Sequence, residues 1–204
     1  MKTRNSLRPI LMLFFIFTIT ACMSKKKEEA AYISTEVDSM AETSEADQIK
    51  QGEYLVKIIG CDHCHTPKKM TDQGPVPDMD RWLMGHPANA AVPEVPENVI
   101  GPGKWMLMNN DLTVAVGPWG TSFGANLTPD DTGIGSWSYE QFKRAMTEGK
   151  FKGMENSRPL MPPMPWQSFR ELKDEDLRAM YAYLMSIEPI ENVVPSYIPP
   201  SGVQ

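Results

Sequence analysis

Five consecutive residues, Cys61-Asp62-His63-Cys64-His65, have the types and spacing to do chemistry. Two thiols three positions apart can each add to a vinyl group of one haem, and the imidazole that follows is placed to ligate the iron. This is the haem c attachment pattern. A bare Cys-x-x-Cys also occurs in redox dithiols and zinc sites. A zinc site would need a second ligand pair, and outside Cys61, Cys64 and His65 the chain has only Cys22, His63 and His86. A thioredoxin-like dithiol would sit in βαβ patterning, and none surrounds the motif. A disulfide between Cys61 and Cys64, or a metal site, remains the competing reading. His63 fills the variable position of the motif and is expected to point away from an iron.

An iron held by His65 has a sixth position to fill. The chain has 15 methionines, most of them core filler or exposed. One segment differs, Arg158-Pro159-Leu160-Met161-Pro162-Pro163-Met164-Pro165-Trp166. A thioether is a weak ligand and holds iron well only when the backbone presents it with little freedom left to lose. Flanking prolines supply that restriction, and Met164 lies between Pro163 and Pro165. Met161 in the same segment is an alternative. His86, in Trp82-Leu83-Met84-Gly85-His86-Pro87, is another. Imidazole is the stronger ligand, but a histidine beside glycine and proline is more often a loop residue. Methionine in place of a second histidine raises the reduction potential.

Helices are needed to position these groups. From Ile49 to Gly60 the apolar residues Tyr54, Leu55, Ile58 and Ile59 predict one helical face running into the motif. Near the end of the chain Asp174 is the expected N-cap, Leu177, Met180, Tyr181 and Leu184 recur at helical spacing, and Pro189 stops the pattern. Between them Ser138 and Gln141 form a capping-box pattern ahead of Phe142, Ala145 and Met146, with Gly149 as the stop. No strand alternation of useful length appears, so the expected class is all-α. Residues 66–119 are crowded with Pro, Gly and Trp, with a short helix expected near Asp80 to Met84. There, Trp105 or Trp119 is either a hydrogen-bond donor to a haem propionate or a packed side chain.

The helix that leads into the motif and the closing helix together resemble the class I cytochrome c family, in which two such helices cross. The resemblance implies a cytochrome c-like helical domain around one covalently attached haem c, here with a long loop insertion. It implies close packing of Gly52 against Tyr181 or Tyr183. Pro-Pro-Met-Pro-Trp, just before the last helix, resembles the axial-methionine segment of longer family members, which assigns Met164 as the partner of His65. Phe123-Gly124-Ala125-Asn126-Leu127-Thr128-Pro129-Asp130, continuing to Trp137, resembles the haem-crevice loop of cytochrome c subunits that serve membrane dehydrogenases. Its spacing lacks the ligand run of an EF-hand, so a turn-rich pocket wall is expected instead of a calcium site.

At the start, Lys2, Arg4 and Arg8 precede an apolar run from Ile10 to Thr20, a secretory leader too short to remain as a membrane span. Ile19-Thr20-Ala21-Cys22 resembles a bacterial lipobox. Residues 1–21 are thus expected to be a lipoprotein signal peptide, with Cys22 lipidated. Residues 22–47 are polar and read as a flexible tether with a reach of about 27 Å, and 48–204 as the haem domain. Loss of the leader would remove three positive charges from a chain of net charge −6. So acidic a protein is a poor match to nucleic acid and a better one to basic docking surfaces on redox partners. Met23 after Cys22 favours the outer membrane over the inner, with the domain in the periplasm.

The expected function is a membrane-tethered electron carrier or electron-transfer subunit. It would pass single electrons through a His65/Met164-ligated iron among a dehydrogenase, other cytochromes or a terminal oxidoreductase. The alternative is a haem-based gas sensor or haem enzyme with an open sixth site.

Overall fold

The computed structural model describes residues 44–96 and 98–200. The expected leader, Cys22 and most of the expected tether lie outside the described residues. Helix α1 (Glu45–Ile59) begins a little before the expected domain boundary, with Glu45 and Asp47 at its positive end and Lys57 at its negative end. Its buried stripe is not the one expected. Tyr54 and Ile58 are 59% and 65% exposed, whereas Gly52 and Val56 are buried and Ile49, Leu55 and Ile59 pack beside them. The reason is Gly52. A Cβ there would overlap the Ala179 carbonyl and sit 2.8 Å from the Tyr183 Cβ. The helix turns its one residue without a side chain toward its partner, and that rotation carries Tyr54 and Ile58 into solvent.

The partner is α5 (Asp174–Ser186), which buries Leu177, Ala179, Met180, Tyr183 and Leu184. Of the two tyrosines expected against Gly52, Tyr183 makes the contact. Lys173, not Asp174, occupies the N-cap position, and no side chain caps the helix. Asp174 is drawn sideways instead. Its carboxylate accepts from Tyr139 Oη at 2.7 Å, Lys143 Nζ at 2.5 Å and Arg178 Nε at 2.7 Å, which ties α5 to α3 (Tyr139–Glu148). Helix α3 starts as expected. Ser138 Oγ accepts from the Gln141 amide at 3.3 Å while Gln141 Oε1 accepts from the Ser138 amide at 3.0 Å. Gly149, with φ of 66°, closes it. Phe142, Ala145 and Met146 face inward and join Val56, Leu83, Ile134, Leu177 and Met180 in the core.

The helices carry the core, but the domain is not purely helical. Two small antiparallel sheets lie in the insertion and just after it, between residues 68 and 123. In one, β1 (Lys68–Thr71) pairs with β2 (Gly74–Pro77), with Thr71 opposite Gly74. In the other, β4 (Val114–Gly117) lies between β3 (Leu107–Met108) and β5 (Gly120–Phe123). Strands of two to four residues are too short to show the alternation that marks a strand in sequence. The short helix expected near Asp80 is a 3₁₀ turn, Met79–Arg81, opened by Asp78 accepting from the Asp80 amide at 3.2 Å.

After α5 the chain does not trail away. Residues 187–200 run back over the loops as a strap. Ile198 pairs with Thr121 of β5, and Tyr197 Oη donates to the Trp119 carbonyl. Among the described residues no helix is long and apolar enough to cross a membrane.

Candidate cofactor site

Gly60, at φ of 81°, breaks the path between α1 and the single-turn helix α2 (Cys61–His65). On one helical turn, positions i, i+3 and i+4 share a side. Cys61, Cys64 and His65 are therefore presented together, while Asp62 and His63 are turned elsewhere. His63 is exposed, with its ring lying over Gly60. Both cysteines are free and half-buried. Burial pushes the Cys61 thiol up to about 12, with the Asp62 carboxylate adding to it. Burial also raises Cys64, against the opposing charge of Lys68. A thiol–disulfide catalyst needs a thiolate near neutral pH, and these two thiols are held protonated.

His65 is oriented through its ring. Nδ1 lies 2.7 Å from the Ala125 carbonyl, so the proton sits on Nδ1 and Nε2 is left as the lone-pair donor. Burial lowers its pKa, the Ala125 hydrogen bond opposes that, and Lys68 reinforces it. Its own carbonyl accepts from the Gly85 amide at 2.8 Å. Two loops thus grip this residue, and they are stitched to each other. The His86 amide donates to the Gly124 carbonyl at 2.9 Å and the Leu127 amide to the Leu83 carbonyl at 2.8 Å. Thr66, immediately after the motif, accepts from the Leu83 amide at 2.9 Å. Glycine is required at the crossing. A Cβ on Gly124 would overlap the Cys64 carbonyl, and one on Gly85, at φ of 80°, would come within 2.5 Å of the Gly124 carbonyl oxygen. Lys68 Nζ donates to the carbonyls of Asp62 at 3.0 Å, His63 at 3.1 Å and Thr66, which satisfies the carbonyl end of α2.

Met164, just ahead of the short helix α4 (Trp166–Phe169), is half-buried and packs against the helical core. Its segment is pinned from three sides. The Leu160 amide donates to the Gly149 carbonyl at 2.6 Å, the Phe151 amide to the Arg158 carbonyl at 3.0 Å, and Ser122 Oγ to the Pro162 carbonyl at 2.6 Å. Met161 is also half-buried, and its carbonyl accepts from the Met164 amide at 3.3 Å. His86 is fully buried. Its Nδ1 lies 2.8 Å from Thr113 Oγ1, its ring is tilted on Phe123 at 5.3 Å, and its Nε2 has no hydrogen-bond partner. Trp105 is 73% exposed, and Trp119 Nε1 donates to Ser122 Oγ at 3.3 Å. The expected pocket-wall loop is held by its own polar groups. Asn126 Oδ1 accepts from the Thr128 amide at 2.9 Å, and Asp130 Oδ1 from the Thr132 amide at 2.8 Å.

Among the described residues no group of three or more His, Cys, Asp or Glu side chains is gathered to hold a metal ion. For haem c, by contrast, the donor set fits. Two protonated thiols and a neutral imidazole with a free Nε2 share one face of one helical turn. Sequence reading singled out these three. It missed Ala125, Gly85 and Gly124, which act through backbone atoms and carry no residue-type signal. It also missed Lys68, whose only signal is its place three residues past the motif.

Two helices crossing at Gly52, the motif at the end of the first, and the loops that wall it define a cytochrome c-like helical domain. No family model matches the chain. It is similar to a component of the nicotinate dehydrogenase of Pseudomonas putida, with 46% identity over 80 residues, 39% of this chain and 6% of that protein. It is similar to the gluconate 2-dehydrogenase cytochrome c subunit from Pantoea cypripedii, with 31% identity over 138 residues, 67% of this chain and 22% of the relative. The alcohol dehydrogenase (quinone) cytochrome c subunit from Gluconobacter oxydans shows 29% identity over 154 residues, 74% of this chain and 24% of that subunit. The chain therefore spans less than a quarter of the length of each of these relatives. Similarity to cytochrome c subunits of dehydrogenases supports a cytochrome c family for the chain. It implies electron transfer as the chemistry and haem c as the cofactor.

Proposed function

We propose that the chain is a monohaem c-type cytochrome that passes single electrons between a dehydrogenase and a second redox protein. Cys61 and Cys64 would hold the haem through thioethers, and His65 and Met164 would ligate its iron. Cys22 carries a lipid that tethers the exported domain to the outer membrane on its periplasmic side. The observation that carries this reading is the face shared by Cys61, Cys64 and His65, with His65 Nδ1 spent on the Ala125 carbonyl. When bound, haem c supplies a one-electron ferric–ferrous couple. The residues of the chain do the rest. The Ala125 carbonyl fixes the imidazole, the pinned proline segment presents Met164 with few alternatives, and the two glycine loops hold the motif between them. Met164 is assigned ahead of His86 because prolines bracket it in a pinned segment; His86, whose Nδ1 is engaged with Thr113 and whose buried Nε2 has no hydrogen-bond partner, is the alternative ligand. The partner follows from the dehydrogenase subunits that the chain resembles, and the acidic balance of the chain suits a basic docking surface.

The test is a visible spectrum of the full chain, produced with haem-attachment machinery, in both oxidation states and with carbon monoxide added to the reduced form. The expected result is a covalently held haem with a weak far-red ferric band and no response to carbon monoxide. Met164→Ala should lose the band and gain the response. A parent protein that binds carbon monoxide promptly would replace the carrier reading with gas sensing or catalysis.

A further inference from the structure

Beyond the motif and the proline segment, a residue on the closing strap converges on the same site. We infer that Asn192 is a positioning residue for the axial histidine, setting the hydrogen bond between His65 Nδ1 and the Ala125 carbonyl from the opposite end of the chain. This rests on the reading of His65 as the ligand of a haem iron.

The two loops that grip His65 are bonded to each other through their backbones, His86 to Gly124 and Leu127 to Leu83. Asn192 is 5% exposed and meets them with its side-chain amide. Its Nδ2 donates to the carbonyls of Met84 at 2.7 Å and His86 at 2.9 Å, and its Oδ1 accepts from the Ala88 amide at 2.9 Å. Those carbonyls flank Gly85, whose amide holds the His65 carbonyl. The backbone around Asn192 secures the other loop. The Asn192 amide donates to Thr132 Oγ1 at 2.9 Å, the Ile190 carbonyl accepts from Asn126 Nδ2 at 2.8 Å, and the Ile190 amide donates to Thr128 Oγ1 at 3.1 Å. Asn126 follows Ala125 directly. One short piece of strap thus fastens both loops that touch His65, one on its backbone and one on its ring. A planar amide can give two protons and take one at a single locus. An aspartate of the same shape would face the Met84 and His86 carbonyls with oxygen and push the loop away.

The hydrogen bond at Nδ1 controls how strongly Nε2 donates to a metal, so the strap should be visible at the iron. The experiment uses the full chain with haem attached and compares Asn192→Asp with Tyr197→Phe, which loosens the same strap at its far anchor on Trp119. The reduction potential is read for each, together with the iron–histidine stretching band of the reduced protein in a Met164→Ala background. Asn192→Asp is expected to weaken the bond and lower that band, while its buried carboxylate itself pulls the potential down and so leaves the band as the deciding readout; Tyr197→Phe moves neither. Amide exchange at Gly85 and His86 should rise about tenfold in Asn192→Asp. Equal band shifts in both variants, or none in Asn192→Asp, overturn the inference. Should Asn192→Asp yield no folded protein, Asn192→Ala carries the comparison. In the parent, Gly85 and His86 amides that exchange as fast as those of the exposed 91–96 segment overturn it without any variant. Haem present with an unmoved band defeats this inference alone, whereas a chain that takes up no haem defeats the cytochrome reading with it.

Discussion

At the scale of single residues, the site depends on positions where nothing larger than hydrogen fits. Gly85 combines a left-handed backbone with a close approach to the Gly124–Ala125 peptide. Gly85→Ala therefore meets both torsional strain and overlap, and is expected to destabilise the domain by roughly 2–4 kcal/mol. Guanidinium unfolding followed at the haem band measures this, and a loss under about 1 kcal/mol would mean that the crossing is looser than described. The candidate ligands stand out in the sequence because thiols, imidazole and thioether announce themselves by type and spacing. The group that orients His65 was not, because it is the carbonyl of Ala125, and any residue brings the same carbonyl. His86 shows the opposite limit. Its type is as conspicuous as that of His65, but only the structure shows its ring tilted on Phe123, its Nδ1 on Thr113 and its buried Nε2 without a partner.

Among the elements, local rules transferred well and tertiary ones did not. The capping box of α3 was readable because both partners lie three residues apart. Apolar counting misplaces the face of α1, because it sees Tyr54 and Ile58 but gives no weight to Gly52, around which the helix is turned. Asp174 has the residue type to cap its own helix, and it instead gathers Lys143, Tyr139 and Arg178 across α3 and α5. Lys143, with Tyr139 and Arg178 beside it, holds the Asp174 carboxyl well below the usual carboxylate range. A group whose folded pKa is depressed adds stability above its unfolded value, near 4, and loses it as pH falls through the lower folded value. The melting temperature of the parent should thus decline on acidification below about pH 4. Asp174→Asn should start lower at neutral pH and show a shallower acid limb. Parallel limbs in the two proteins would remove Asp174 from the account.

For the molecule as a whole, the proposed docking to basic partners can be tested through charge. The net charge of −6 favours basic surfaces, and the attraction is screened by salt over about 10 Å at 0.1 M. Electron transfer from the reduced protein to a basic redox protein should slow as ionic strength rises, and transfer to an acidic one should quicken. Stopped-flow traces at the haem band separate the two, and flat profiles for both would show that overall charge does not steer this protein. The molecule was legible in its helical frame and opaque in residues 66–123. There the sheets are built from pieces of two to four residues whose pairing is decided by their neighbours.

The strap also gives the site an order in time. The turn carrying Cys61, Cys64 and His65 closes within five residues, whereas Asn192 reaches the Met84 carbonyl across 108 positions of chain. Contacts between near neighbours form early, and those that close a long loop form late. The turn is therefore expected to take shape while the loops around it are still open, with the Asn192 contacts closing after it.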